Sequence, residues 1–216
     1  MSFLVLSVVV AAVVVTALRR ALPAVAVLAW FGVVYGLAAS GVLGAFERMP
    51  PKIPLVALSA VGIALLVSRV AAVKEALRVM PSWWPVAFQT FRAPLEVALY
   101  LLFTAGQLPE QMTFAGRNFD VLVGVSAPVM AFLIATKRAP PWVQWLWQLA
   151  AVGLLINVVS IAITSAPGPL HLDWPGAPLT IVAQWPYALL PGFLVPCAVL
   201  GHVLAISKLR GNAQQE

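Results

Sequence analysis

Apolar residues gather along this chain in seven long runs, 3–18, 21–43, 53–67, 86–105, 119–136, 143–166 and 179–206, separated by short stretches that hold nearly all of the charge. A helix needs about 20 apolar residues to cross the hydrocarbon core, and roughly 17 to 25 is normal. The pattern therefore predicts an all-α, polytopic transmembrane helix bundle, a single domain over 1–216. The first and third runs are short, and the last is long enough that it must tilt or kink. Seven helices are expected, six if the first run does not span.

The charges orient the bundle. Arg19, Arg20, Arg69, Lys74, Arg78, Lys137, Arg138, Lys208 and Arg210 fall on one set of alternate connections, and Arg48, Lys52 and Arg117 on the other. By the positive-inside rule the richer side is cytoplasmic, which puts the N-terminus outside and the C-terminus inside. Helices two to seven keep this orientation even if the first run fails to span. That first run has no basic start and is followed by Arg19 and Arg20, so it reads as a retained anchor and not as a cleaved signal. The connection 68–85 has its own periodicity: Val70, Val73, Ala76 and Leu77 alternate with Arg69, Lys74, Glu75 and Arg78 ahead of Trp83 and Trp84, which predicts a short helix in the headgroup layer.

Composition agrees and removes several alternatives. With 62% hydrophobic and 9% charged residues and a mean hydropathy of +0.98, the chain is too apolar for a water-soluble domain. The net charge of +6 does not imply nucleic acid, because the cations sit at the ends of apolar runs and not in a patch with aromatics. One cysteine, Cys197, rules out an intramolecular disulfide and any CxxC motif. Retinal has no Schiff-base lysine in the last run. His171 and His202 fall at opposite ends of the bundle, so no haem or metal pair is expected. No GxSxG, HExxH or P-loop occurs, and no cofactor is implied.

Two clusters carry candidate chemistry. Gln89, Arg92 and Glu96 share one face of the fourth run, inside the membrane, where charges cost at least about 2.5–3.5 kcal/mol each on insertion scales. Glu96 is expected to point back at Arg92 and pair with it, with Asn157 or Gln184 as hydrogen-bond partners. The cluster is either a polar pathway with a protonatable group or a buried ion pair that fixes helix register. The second cluster, Gly116, Arg117, Asn118 and Asp120, opens the fifth run on the outer side. It is either an anion-binding helix N-terminus or an ordinary cap with Asn118 as N-cap. The outer connections 47–52, 107–120 and 166–176 are dense in Pro and Gly, which predicts structured caps. Pro186, Pro191 and Pro196 divide the last run, as a gate or as a curved packing helix. An outer acid/base group from Glu110, Asp120, His171 and Asp173 is a further possibility without a spacing that selects it.

The stretches Gln89-Thr-Phe-Arg92 with Glu96, Pro109-Glu-Gln-Met-Thr-Phe-Ala-Gly-Arg-Asn-Phe-Asp120, Gly124-Val-Ser-Ala-Pro128 and Ser165-Ala-Pro167 resemble an uncharacterised family of small bacterial multi-spanning inner-membrane proteins. The likeness covers a little over half of the chain. The family more often has an acid where Ala115 stands, so a role needing that acid does not carry over. The resemblance implies a multi-pass protein of the bacterial inner membrane and brings no activity. Three classes of function stay open: binding or transport of a small solute, anions included, through the polar interior; a non-catalytic subunit with a membrane-protein partner; and a membrane enzyme facing outward. Beyond the lipid bilayer, the partners implied are a small-molecule ligand or another membrane protein, and not nucleic acid.

Overall fold

A computed structural model describes residues 3–18 and 21–212, all of it helical or irregular with no strand among the described residues. Among the described residues nine α-helices follow in order: α1 Phe3–Leu18, α2 Ala21–Ala39, α3 Lys52–Arg69, α4 Ala71–Val79, α5 Trp84–Phe88, α6 Arg92–Thr104, α7 Val121–Ala135, α8 Pro141–Ser165 and α9 Val195–Asn212. Four stretches among the described residues are long and apolar enough to cross a membrane: Lys52–Arg69, Trp84–Thr104, Pro141–Ser165 and Leu190–Gly211. Phe3–Ala17, Val25–Ala39 and Val121–Ala135 are apolar and shorter. Arg19 and Arg20, two of the nine cations used for orientation, lie outside the described residues.

Proline and glycine set most of the boundaries. The second run was expected to stay helical to residue 43, but α2 stops at Ala39. Gly41 takes a left-handed φ of 72°, and a 3₁₀ turn, Val42–Gly44, follows. Pro51 precedes α3, and Pro140 and Pro141 begin α8, where a missing N–H breaks no helical bond. The fourth run is helical throughout but tightens to a 3₁₀ turn at Gln89–Phe91, just ahead of Pro94, whose ring cannot serve the carbonyl of Thr90.

The last run differs most from expectation. It is not one helix from residue 179: Ile181–Ala183 is a 3₁₀ turn, Leu190–Leu194 is a π turn, and α9 begins at Val195. Pro196 has no N–H for the carbonyl four residues before it, that of Gly192. The Trp30 indole of α2 donates to that oxygen at 2.7 Å, so a neighbouring helix supplies the missing donor.

Leu190–Gly211 is the most enclosed of the four long segments, with 61% of its most apolar 18-residue stretch buried against 6% for α3. The short helix α7 shows how the surface is built. Val123, Gly124, Ala127, Met130, Ala131 and Ile134 are buried, while Leu122, Val125, Val129 and Phe132 on the opposite face are 58–62% exposed. A helix that is apolar on both faces at the surface of a fold is suited to lipid and not to water. The expected headgroup helix is α4, which buries Val73 and leaves Lys74, Glu75 and Arg78 outward, with an exposed Arg78–Glu75 pair. Lys208 Nζ donates to the Arg78 carbonyl at 3.2 Å, tying the end of α9 to the end of α4.

The connections 105–120 and 166–189 are compact and partly buried. Gln111 Nε2 donates to Ser165 Oγ at 3.1 Å, Leu179 N–H to Ser165 O at 2.8 Å, and Trp174 Nε1 to Thr164 Oγ1 at 3.1 Å. Both loops are thus pinned to the end of α8. α7 has 15 residues, about 22 Å at 1.5 Å per residue, and the loop before it folds inward, with Thr113, Asn118 and Asp120 buried. Irregular backbone at such depth is tolerated where protein surrounds it.

Candidate polar centre and cavity

Enclosed side chains from α6, the loop before α7, α8 and α9 form one connected network. Arg92 on α6 is 1% exposed, and its guanidinium makes a two-pronged ion pair with Asp120: Nε donates to Oδ2 at 2.6 Å and Nη2 donates to Oδ1. Its Nη1 lies 3.0 Å from His202 Nε2 on α9. A guanidinium has only donors, so Nε2 accepts, and the neutral ring carries its proton on Nδ1. That proton points to Gln148 Oε1 on α8 at 2.7 Å. In the other direction, Asn118 Oδ1 accepts from the Asp120 N–H at 3.1 Å, and Asn118 Nδ2 donates to Glu96 Oε2 at 2.7 Å and to Met112 O at 3.0 Å. The chain of contacts therefore runs Glu96, Asn118, Asp120, Arg92, His202, Gln148.

Two close backbone approaches make this possible. A Cβ on Gly124, one turn after Asp120, would run into the backbone nitrogen of Ala93, next to Arg92. Hydrogen there lets α7 lie directly on α6, so that Asp120 and Arg92 meet face on. On α9, a Cβ at Gly201 would stand 2.5 Å from Gln89 Nε2. Its absence lets Gln89 donate to Ala198 O at 2.9 Å. Gln89 Oε1 is the enclosed side-chain oxygen without a hydrogen-bond partner among the described residues.

The network forms part of the wall of a cavity of about 560 Å³. Arg92, Glu96, Asp120 and His202 border it, and most other lining residues are apolar, among them Leu95, Leu99, Leu155 and Val199. Ala57, Leu58 and Val61 of α3 and Ile156, Val159 and Ala162 of α8 form opposite sides. Leu58 and Ile156 are 67% and 61% exposed, so the space reaches the lateral surface between these helices. Toward the loops it is bordered by Phe46, Lys52 and Pro169. Glu96 Oε1 takes no hydrogen bond among the described residues and is not among the enclosed orphans. It therefore faces the cavity that Glu96 lines.

Several expectations need correction. Arg92 and Glu96 are both buried, as their depth required, but their hydrogen bonds go elsewhere: Arg92 to Asp120 and His202, Glu96 to Asn118. Asn157 donates to the Arg117 carbonyl at 2.9 Å, outside the network, and Gln184 is exposed. The proposed outer cluster separates. Arg117 is exposed with its guanidinium 5.1 Å from the Trp174 ring, and a Cβ on Gly116 would meet the carbonyl of Glu110. Asn118 and Asp120 turn inward. Asn118 does not cap α7 by its side chain; it forms a local turn with the Asp120 N–H and spends its amide on Glu96. Asp120 is occupied by Arg92, whereas Glu110, His171 and Asp173 are exposed, so the outer acid/base group is not assembled around it.

His202 and Gln148 were missed as members of the centre. The available signal was depth: each lies a few turns in from the same end of its helix as Arg92. The model of a known family matches residues 53–210 and is described as DUF8737, a domain of unknown function. The chain belongs to this family. The matched segment includes the whole network, whose members lie between Arg92 and His202. No curated protein and no solved structure matches the chain.

Proposed function

We propose that this member of DUF8737 is a multi-pass protein of the bacterial inner membrane that binds a membrane-borne amphiphile in the cavity between α3 and α8, with transport as the extension of that binding. One observation carries the reading: a hydrogen-bonded polar network leaves one carboxylate oxygen, Glu96 Oε1, without a partner among the described residues, on a cavity with mostly apolar walls that include exposed apolar residues of α3 and α8. A hydrated solute would meet those walls at a loss, whereas an amphiphile matches both parts of the site. Within the binding-or-transport class, an amphiphile takes the place of the small solute expected from the sequence.

Seven spans, with the N-terminus outside and the C-terminus inside, are supported by where the described cations fall. Arg69, Lys74, Arg78, Lys137, Arg138, Lys208 and Arg210 belong to one end, with the Arg210 guanidinium 5.8 Å from the Trp145 ring. Arg48, Lys52 and Arg117 belong to the other. A reporter fused after Gly211 is expected to be cytoplasmic and one inserted between Pro167 and Pro178 extracytoplasmic. Activity of both reporters on the same side would refute the topology.

Binding itself is tested with a neutral, diazirine-tagged long-chain alcohol added to the protein in lipid nanodiscs. Crosslinks are expected on Ala57, Leu58, Val159 and Ala162, with loss of at least about tenfold in Ala162→Trp, whose indole would occupy the space. Labelling spread equally over exposed faces such as Leu122 and Val125 would show general lipid contact and end the cavity reading.

A further inference from the structure

We infer that the polar end of the ligand is a cation, with Glu96 as its counter-ion; the inference rests on the cavity reading above and assigns its ligand class. Arg92 is the obvious receptor for an anion, but it is already engaged. Asp120 takes Nε and Nη2, and His202 takes Nη1. The Asp120 carboxylate cancels the guanidinium charge at contact distance. An anionic head approaching Arg92 would meet the carboxylates of Asp120 and Glu96 on the same wall.

Glu96 is the group left over. One oxygen accepts from Asn118, a neutral amide, and the other faces the cavity without a partner among the described residues. The Arg92 charge is shared with Asp120, so with both carboxylates ionised the three groups together carry one negative charge. His202, with Nε2 accepting from Arg92, adds no positive charge. The other cation lining the cavity, Lys52, belongs to its loop-bordered end at the start of α3. A lone carboxylate facing apolar walls at low dielectric is a strong attractor for a positive group, and its attraction is weakly screened there.

The walls favour a particular kind of cation. Leu95, Leu99, Leu155 and Val199 suit hydrocarbon substituents, and Phe91 adds an aromatic ring beside the charged groups. A metal ion or a small hydrated cation has no set of oxygen ligands to replace its water, and groups of three or more His, Cys, Asp or Glu placed for a metal do not occur among the described residues. The chemistry that fits is an organic ammonium or phosphonium ion with apolar groups, entering from the bilayer between α3 and α8.

The test uses two probes of similar size and opposite charge, tetraphenylphosphonium and tetraphenylborate, with the full chain in zwitterionic nanodiscs and empty nanodiscs subtracted. Saturable binding of tetraphenylphosphonium is expected, at least about tenfold tighter than tetraphenylborate, and Glu96→Gln is expected to weaken it at least about tenfold. Equal affinity for both probes, preference for the borate, or undiminished binding in a folded Glu96→Gln protein would overturn the inference. Should Glu96→Gln fail to fold, the comparison of the two probes on the wild type decides. Crosslinking by the alcohol without a cation preference removes this inference alone; loss of both removes the cavity reading beneath it.

Discussion

Asp120→Ala is expected to destabilise the protein by about 3–5 kcal/mol, because it strands the Arg92 guanidinium in a site where it is 1% exposed. Asp120 fills two of the three donor directions of Arg92 that the network uses. Loss of both leaves a buried charge with one neutral partner. The double change Arg92→Met with Asp120→Leu is expected to recover most of the loss, since exchanging a whole buried pair for apolar groups is often near neutral. Unfolding in mixed micelles, run as a double-mutant cycle, measures the coupling. Strictly additive single losses would mean that the two side chains do not meet. A parallel cycle between Arg92 and Glu96 should show much weaker coupling, as no hydrogen bond joins them.

The second large effect belongs to a residue with no side chain. Gly124→Ala is expected to cost about 3 kcal/mol, the upper part of the range for an overpacked core. The added methyl meets the backbone of Ala93, which cannot rotate away as a flexible side chain could. Displacing α7 to make room also pulls Asp120 away from Arg92, so the steric and electrostatic losses reinforce each other. Gly153→Ala is the control: that position on α8 has open space around it, and alanine there should be neutral or stabilise by about 0.5–1 kcal/mol through helix propensity. Equal melting shifts for the two variants would contradict the close approach of α6 and α7.

The helices were legible because hydropathy and length decide them with little help from tertiary contacts. The first apolar run and α1 share their bounds, 3–18, and Gly or Pro explains why others differ by a few residues. The 179–206 run failed where three prolines divide it, since hydropathy counts proline-interrupted and continuous helix alike. In the site, depth correctly required Arg92 and Glu96 to be buried, but not their partners. Sequence spacing favours neighbours on one helix, and Glu96 is one turn from Arg92. The actual partner comes from a loop that bends inward, and nothing in the local pattern around Asp120 separates a helix-start acid from a deep counter-ion. His202 was read by its distance from His171, which says nothing about an arginine and a glutamine at matching depth.

The indole of Trp30 has a consequence for how the chain may be divided. The kinked segment ahead of α9 has a carbonyl at Gly192 that Pro196 cannot serve, and the donor that replaces it comes from α2. That helix precedes the segment matched by the family model, which begins at residue 53. A fragment cut there would retain every member of the polar network and every turn of α9, yet lack the donor that completes the bend. The unit that sequence comparison recognises and the unit that folds have different edges, and an expression fragment of this protein is better drawn to include α2.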